Sequence, residues 1–66
     1  MMRTHRVARG ETLATIAQTY YKDAGKWAVI YQHNERYIPN PNQLEPGQTL
    51  VIPHLVAPGL ADHLFI

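Results

Sequence analysis

Hydrophobic positions recur with helical spacing in two stretches of this chain. The first stripe consists of Leu13, Ile16, Ala17 and Tyr20, which fall on one face of an α-helix. Thr12 precedes the stripe, and its hydroxyl can accept a hydrogen bond from a backbone N–H of the first helical turn. We therefore predict that a helix begins after Thr12 and packs this stripe into the core.

The second stripe is formed by Trp27, Ile30 and Tyr31. Asp23 is predicted to cap this second helix, because its negative charge also suits the positive end of the helix dipole. The helix should end near His33–Asn34, since asparagine tolerates a left-handed cap. Trp27 is the largest hydrophobic side chain available, and we expect it to anchor the core. Stacking on a ligand is the alternative for a lone tryptophan.

A turn and a short strand follow near the end of this pattern. Proline and glycine occupy the two central positions of residues 45–48, Glu-Pro-Gly-Gln, which favours a type II turn. Thr49 to Ile52 then form an apolar, β-branched run that predicts a strand. Pro53 lacks the N–H that would continue a ladder and ends the strand.

The last strand requires a partner, and Thr4 to Ala8 is the candidate, with His5 and Val7 on one face. Glu35 to Asn42 is predicted to be a loop, with Ile38 and Leu44 as its apolar anchors. The element order is thus strand, helix, helix, strand, an α+β fold. Since two short strands are not stable alone, both helices should cover one face of the sheet. The predicted core is Leu13, Ile16, Tyr20, Trp27, Ile30, Leu50 and Ile52.

Composition excludes several classes of function. The chain of 66 residues has no cysteine, and its four histidines have no metal-ligand spacing, so we expect no disulfide, metal or cofactor. The net charge of +1 argues against nucleic-acid binding. No apolar run is long enough to span a membrane, and the N-terminal sequence has no signal-peptide core. We therefore expect synthesis in the cytoplasm without a signal peptide.

Catalytic patterns are also missing from the sequence. The five acidic residues form no motif pair, and there is no nucleophile motif, phosphate-binding loop or zinc-protease motif. A general acid also needs a cleft that raises its pKa, which a chain of this size can hardly build. The sequence therefore predicts a protein that is not an enzyme.

Several motifs, in their order and spacing, resemble the LysM domain family. They are Val7–Ala17 (VARGETLATIA), Trp27 with Ile30-Tyr31 and Asn34, Asn40–Asn42 with Leu44, and Pro46–Pro53 (PGQTLVIP). The resemblance implies a LysM domain over residues 4–53, after a short extension at 1–3. It implies a β-α-α-β fold, with both helices on one side of a two-stranded antiparallel sheet. The chain departs from the family pattern at Glu11, usually aspartate, and at His5, commonly aromatic.

The resemblance also implies a binding function. LysM domains bind polymers of N-acetylglucosamine, peptidoglycan and chitin, in a shallow groove between two loops. By resemblance, the groove residues would be Gly10, Glu11, Thr12, Leu13, Asn40, Pro41, Asn42, Gln43 and Leu44. The alternative is that residues such as Gly10, Thr12 and Asn40 only build turns and caps.

The sequence favours a role in assembly, which can coexist with peptidoglycan binding, and glycan recognition alone is the alternative function. The chain, with Lys26-Trp27 and the extended loop through Tyr37–Asn42, is similar to LysM modules of phage tails and contractile injection machines. In those machines the fold acts as a structural adaptor near the tube or baseplate. Residues 54–66 form an apolar tail beyond the predicted domain. Exposed apolar ends often mark a partner surface. The docking residues would be Leu60, Leu64, Phe65 and Ile66, and the protein would end up in a virion or injection particle. Folding back of this tail on its own domain is the alternative.

Overall fold

A computed structural model describes residues 2–54 of the chain. Its elements, in order, are strand β1 (Arg3–Arg6), helix α1 (Leu13–Tyr21), a 3₁₀ turn (Ala24–Lys26), helix α2 (Trp27–Asn34), a second 3₁₀ turn (Glu35–Tyr37) and strand β2 (Thr49–Ile52). The strands pair antiparallel, with Arg3 opposite Ile52 and Arg6 opposite Thr49. This confirms the predicted α+β fold. Within residues 2–54, neither helix is long and apolar enough to cross a membrane.

Pairing of the two strands continues beyond their assigned ends into the predicted turn. The Val7 N–H donates to the Gln48 carbonyl at 2.8 Å, and the Gly47 N–H donates to the Val7 carbonyl at 2.7 Å. Gly47 has a positive φ of 88°, and the Gln48 N–H donates to the Glu45 carbonyl at 3.1 Å. The predicted turn over residues 45–48 is thereby confirmed. β1 spans Arg3–Arg6, so it begins and ends earlier than the predicted Thr4–Ala8. Val7 follows the strand, pairs with the turn and is buried.

α1 begins with reciprocal capping by two threonines. The Thr12 Oγ1 accepts from the Thr15 N–H at 3.1 Å, while the Thr15 Oγ1 accepts from the Thr12 N–H at 2.9 Å. This confirms Thr12 as the N-cap and forms a capping box with threonine in the place of the usual glutamate. The helix ends at Tyr21 and is capped by Lys22, which adopts a left-handed φ of 60° and donates its N–H to the Gln18 carbonyl.

The predicted start of α2 is wrong, and its predicted end at Asn34 is right although the predicted cap is not. Asp23 caps the preceding 3₁₀ turn, where its Oδ1 accepts from the Gly25 N–H at 2.9 Å, and α2 itself begins only at Trp27. The helix does end at Asn34, but the left-handed cap is wrong, because Asn34 has a φ of −127°. Its side chain is instead buried, with 1% of its surface exposed.

The core lies between the sheet and the two helices. Its buried hydrophobic side chains are Val7, Leu13, Ile16, Ala17, Ile30, Ile38, Leu50 and Ile52. Tyr20, Tyr21, Tyr31 and Leu44 pack around them, partly exposed. The prediction that Trp27 anchors the core is wrong, since 40% of its surface is exposed. Ile38, from the loop after α2, is buried in this cluster, whereas the Trp27 side chain is not part of it.

Candidate functional site

A cleft of about 380 Å³ lies where the loop before α1 meets the loop after α2. Its walls are formed by Thr12, Leu13, Ala14, Trp27, Pro41 and Asn42. The cleft thus draws on both predicted loops and on the first turns of both helices. A volume of this order is within the range of small-ligand sites, which are typically about 300–1,000 Å³.

The first wall of the cleft carries backbone N–H groups that have no hydrogen-bond acceptor within the helix. An α-helix cannot satisfy its first N–H groups internally. In α1, the Thr15 N–H is bonded to the Thr12 hydroxyl, and the Ile16 N–H to the Thr12 carbonyl. The N–H groups of Leu13 and Ala14 have no hydrogen-bond partner within residues 2–54. Both residues line the cleft, so two backbone donors without a partner in the described chain lie at its wall.

The second wall is a loop with an internally fixed shape. The Asn40 Oδ1 accepts from the Asn42 N–H at 2.9 Å, and the Asn40 carbonyl accepts from the Gln43 N–H at 3.0 Å. These two bonds make a turn that presents Pro41 and Asn42 to the cleft. The Gln48 side chain donates to the Tyr37 carbonyl at 2.8 Å, and this hydrogen bond connects the two ends of the loop.

The structure brings together four of the nine predicted groove residues. Thr12, Leu13, Pro41 and Asn42 line the cleft, whereas Gly10, Glu11, Asn40, Gln43 and Leu44 are not among its lining residues. Gly10 has a φ of 87° and shapes the turn before α1, which glycine does without steric cost. Leu44 packs against the core. A ligand role for any of the nine stays a prediction.

Two lining residues were missed, Ala14 and Trp27. Ala14 carries no sequence signal, since its contribution is a small side chain and a backbone N–H. The sequence did give a signal for Trp27, because stacking on a ligand is the alternative role predicted for a lone tryptophan. Its position in the helical stripe favoured the core instead.

Glu11 has a structural role beside the cleft. Its Oε1 accepts from the Ala8 N–H at 2.7 Å and contacts the His5 Nε2 at 2.8 Å. The His5 Nδ1 in turn lies 2.8 Å from the Tyr20 hydroxyl. The Ala8 N–H, and then the His5 ring, hold the pKa of Glu11 below its ordinary value. The two departures from the LysM pattern, His5 and Glu11, are therefore in direct contact, and the longer glutamate reaches the ring.

A smaller cleft of about 140 Å³ lies at the other end of the sheet. It is lined by Arg3, Tyr20, Tyr21, Ile52, Pro53 and His54. The Tyr21 hydroxyl donates to the Pro53 carbonyl, and burial raises the pKa of Tyr21. Among residues 2–54, no group of histidine and acidic side chains could hold a metal ion. The predicted docking residues Leu60, Leu64, Phe65 and Ile66 lie outside the described part of the chain.

Comparison with known proteins identifies one family. The model of the LysM domain matches residues 5–53. No curated protein and no solved structure matches the chain.

Proposed function

Because the chain belongs to the LysM family, whose members generally bind peptidoglycan and other N-acetylglucosamine polymers, we propose that its cleft binds such a glycan. The protein would act as a binding module and perform no catalysis. One observation carries this proposal. Both loops line the same cleft, and the N–H groups of Leu13 and Ala14 at its wall have no partner in the described chain.

The chemistry of the cleft suits an N-acetylated sugar. An acetamido group offers one acceptor, one donor and a methyl group. The N–H groups of Leu13 and Ala14 can donate to its carbonyl oxygen, and the exposed side-chain amide of Asn42 can bond its N–H or a ring hydroxyl. Ala14 and Pro41 supply small apolar surfaces for the methyl group. No charged side chain of residues 2–54 lines the cleft, so the lining offers hydrogen bonds and apolar contacts of the kind that an uncharged sugar needs.

The proposal is tested by NMR titration of the domain with chitin oligosaccharides and with soluble peptidoglycan fragments. Saturable shifts of backbone amides at residues 12–14 and 41–42 are expected. Ala14→Glu should abolish them, because the new side chain fills the cleft, while an acidic residue in the first turn suits the helix dipole. Gln18→Glu is the matched control, with the same new charge one turn further along the exposed side of α1.

Two results of the titration would contradict the proposal, each in a different way. Absence of shifts with every sugar, in a folded protein, would contradict glycan binding. Shifts that persist in Ala14→Glu would place the binding surface elsewhere. Retention of the parent protein and of Gln18→Glu on insoluble peptidoglycan, with loss of Ala14→Glu, would support the proposal independently of NMR.

A second proposal is the adaptor role in a phage-tail-like particle, supported by the sequence of residues 55–66, which is rich in leucine, valine, phenylalanine and isoleucine. In this proposal the protein leaves the cytoplasm as a component of a virion or injection particle. A variant that ends at His54 should then fold but fail to enter purified particles. Normal incorporation of that variant would contradict the adaptor role.

A further inference from the structure

We propose that Trp27 forms a second sugar subsite, stacking on the pyranose ring adjacent to the one held by the two loops. This inference rests on glycan binding at the cleft. It assigns a position to a residue that belongs to neither loop, since Trp27 is the first residue of α2. The subsite would make affinity depend on the length of the glycan.

Exposure of Trp27 is the first observation. The indole is one of three large hydrophobic side chains exposed within residues 2–54, and 40% of its surface is accessible. It lines the same cleft as Thr12, Leu13, Pro41 and Asn42. The rest of the residue is covered by its neighbours, so Trp27 is partly packed and partly open to the cleft.

Contact with Tyr31 is the second observation. The ring centroids of Trp27 and Tyr31 lie 6.4 Å apart, with the ring planes tilted by 45°. Tyr31 is one turn along α2 and itself packs against the core cluster. An aromatic side chain that is already held loses little conformational freedom when a ligand binds.

The chemistry of the indole identifies its ligand. One face of a pyranose presents C–H bonds with partial positive charge, and the face of an aromatic ring carries partial negative charge. Trp27 has no acidic or basic side chain beside it in the cleft lining, which consists of neutral residues. The geometry therefore favours a neutral sugar ring, and the polymer held by the loops supplies one at the adjacent position.

Trp27 is the only tryptophan of the chain, so selective excitation of its fluorescence reports on this subsite alone. Titration with chitin oligosaccharides of increasing length should change the emission least with the shortest oligosaccharide that shifts the loop amides. Longer oligosaccharides should shift the emission to shorter wavelength as the ring loses water. The loop amides report on the proposed function, and the indole reports on the subsite.

Substitutions give a second test. Trp27→Ala should weaken the binding of long oligosaccharides about five- to tenfold and leave the shortest binder unchanged, since one aromatic contact is lost. Trp27→Phe should restore most of the lost affinity. Tyr37→Ala is the matched control, because Tyr37 is 64% exposed and lines a different surface cleft.

Each outcome decides a different point. If loop amides shift and the indole emission never changes, the subsite is wrong and glycan binding stands. Equal loss of short and long ligands in Trp27→Ala and Trp27→Phe would also overturn it. If the parent protein binds no oligosaccharide by either measurement, the proposed function fails and the subsite fails with it.

Discussion

The side chain of Asn34 satisfies both backbone groups of Val51. Its Oδ1 accepts from the Val51 N–H at 2.8 Å, and its Nδ2 donates to the Val51 carbonyl at 2.8 Å. The same Nδ2 donates to the Ile30 carbonyl at 2.7 Å. The amide therefore acts as a substitute for a third strand at the outer edge of β2 and ties that edge to the end of α2.

Asn34→Ala should lower the free energy of unfolding by about 2–4 kcal/mol, because it leaves the polar groups of Val51 without partners in a largely buried place. Such a loss is a large part of the stability of a small domain. Urea unfolding followed by circular dichroism measures it. Asn42→Ala removes an exposed asparagine as the control, and it should change the stability by less than about 0.5 kcal/mol. Equal effects of the two substitutions would contradict this role of Asn34.

Acid should weaken the fold through Glu11. Its pKa is lowered in the folded state by the Ala8 N–H and the His5 ring, so the folded protein binds this proton less readily than the unfolded chain. The stabilisation is therefore fully present above the pKa of the unfolded chain and is lost as pH falls through the folded-state pKa. Urea unfolding across the acidic range should show this decline.

Glu11→Gln should reduce the acid-dependent part and cost about 1 kcal/mol at neutral pH, because a charge-assisted hydrogen bond becomes a neutral one. Glu45→Gln removes an exposed carboxylate outside this hydrogen-bond network and controls for the loss of one charge. If Glu11→Gln and the parent protein give parallel curves of stability against pH, the proposed origin of the acid dependence is wrong.

Gly47→Ala should destabilise the protein by about 1–2 kcal/mol, the cost of placing a side chain at positive φ. The φ of Gly47 is 88°, and an added Cβ would meet no atom within 4 Å, so the cost is purely conformational. Gly47→Asn should lose less, since asparagine tolerates this region better. Thermal unfolding of the two variants tests the order. A larger loss for asparagine than for alanine would contradict it.

Tyr21→Phe should cost about 1 kcal/mol by removing the hydrogen bond to the Pro53 carbonyl. Because burial raises the pKa of Tyr21, the neutral phenol is favoured in the folded state. The corresponding stabilisation is present below the pKa of the unfolded chain and is lost as pH rises through the folded-state pKa. Tyr37→Phe, at an exposed tyrosine, is the control for alkaline unfolding. Identical alkaline transitions of Tyr21→Phe and the parent would exclude this contribution.

The fold was predictable because its signals are local. The stripe from Leu13 to Tyr20, the cap at Thr12 and the Pro46-Gly47 turn each depend on neighbours within a few residues, and the structure confirms all three. Ile38 was predicted to anchor its loop, and it is buried in the core. The edge role of Asn34 depends on contacts between distant segments, and spacing along the chain contains no information on it.

The candidate site was predictable in part for the same reason. Turn and cap residues located both loops, and the resemblance to the LysM family then named Thr12, Leu13, Pro41 and Asn42 among the groove residues. Helical periodicity assigns Trp27 to the face of Ile30, but it does not tell where along that face the core ends. Trp27 is the first residue of α2, and its side chain lines the cleft rather than the core. Glu11 was assigned to the groove by family resemblance. Its contact with His5 depends on the approach of β1 to the loop, which spacing along the chain does not predict.

The register of the sheet also determines how this domain can be joined to other proteins. Arg3 lies opposite Ile52, so the incoming and outgoing chain are neighbours, while the cleft loops follow Arg6 and precede Thr49 at the opposite end of the strands. A fusion partner attached before Arg3 or after His54 starts on the side away from the cleft. Immobilisation next to Arg3 or His54, or insertion of residues 3–54 into a host loop with two short linkers, should therefore leave the cleft facing outward.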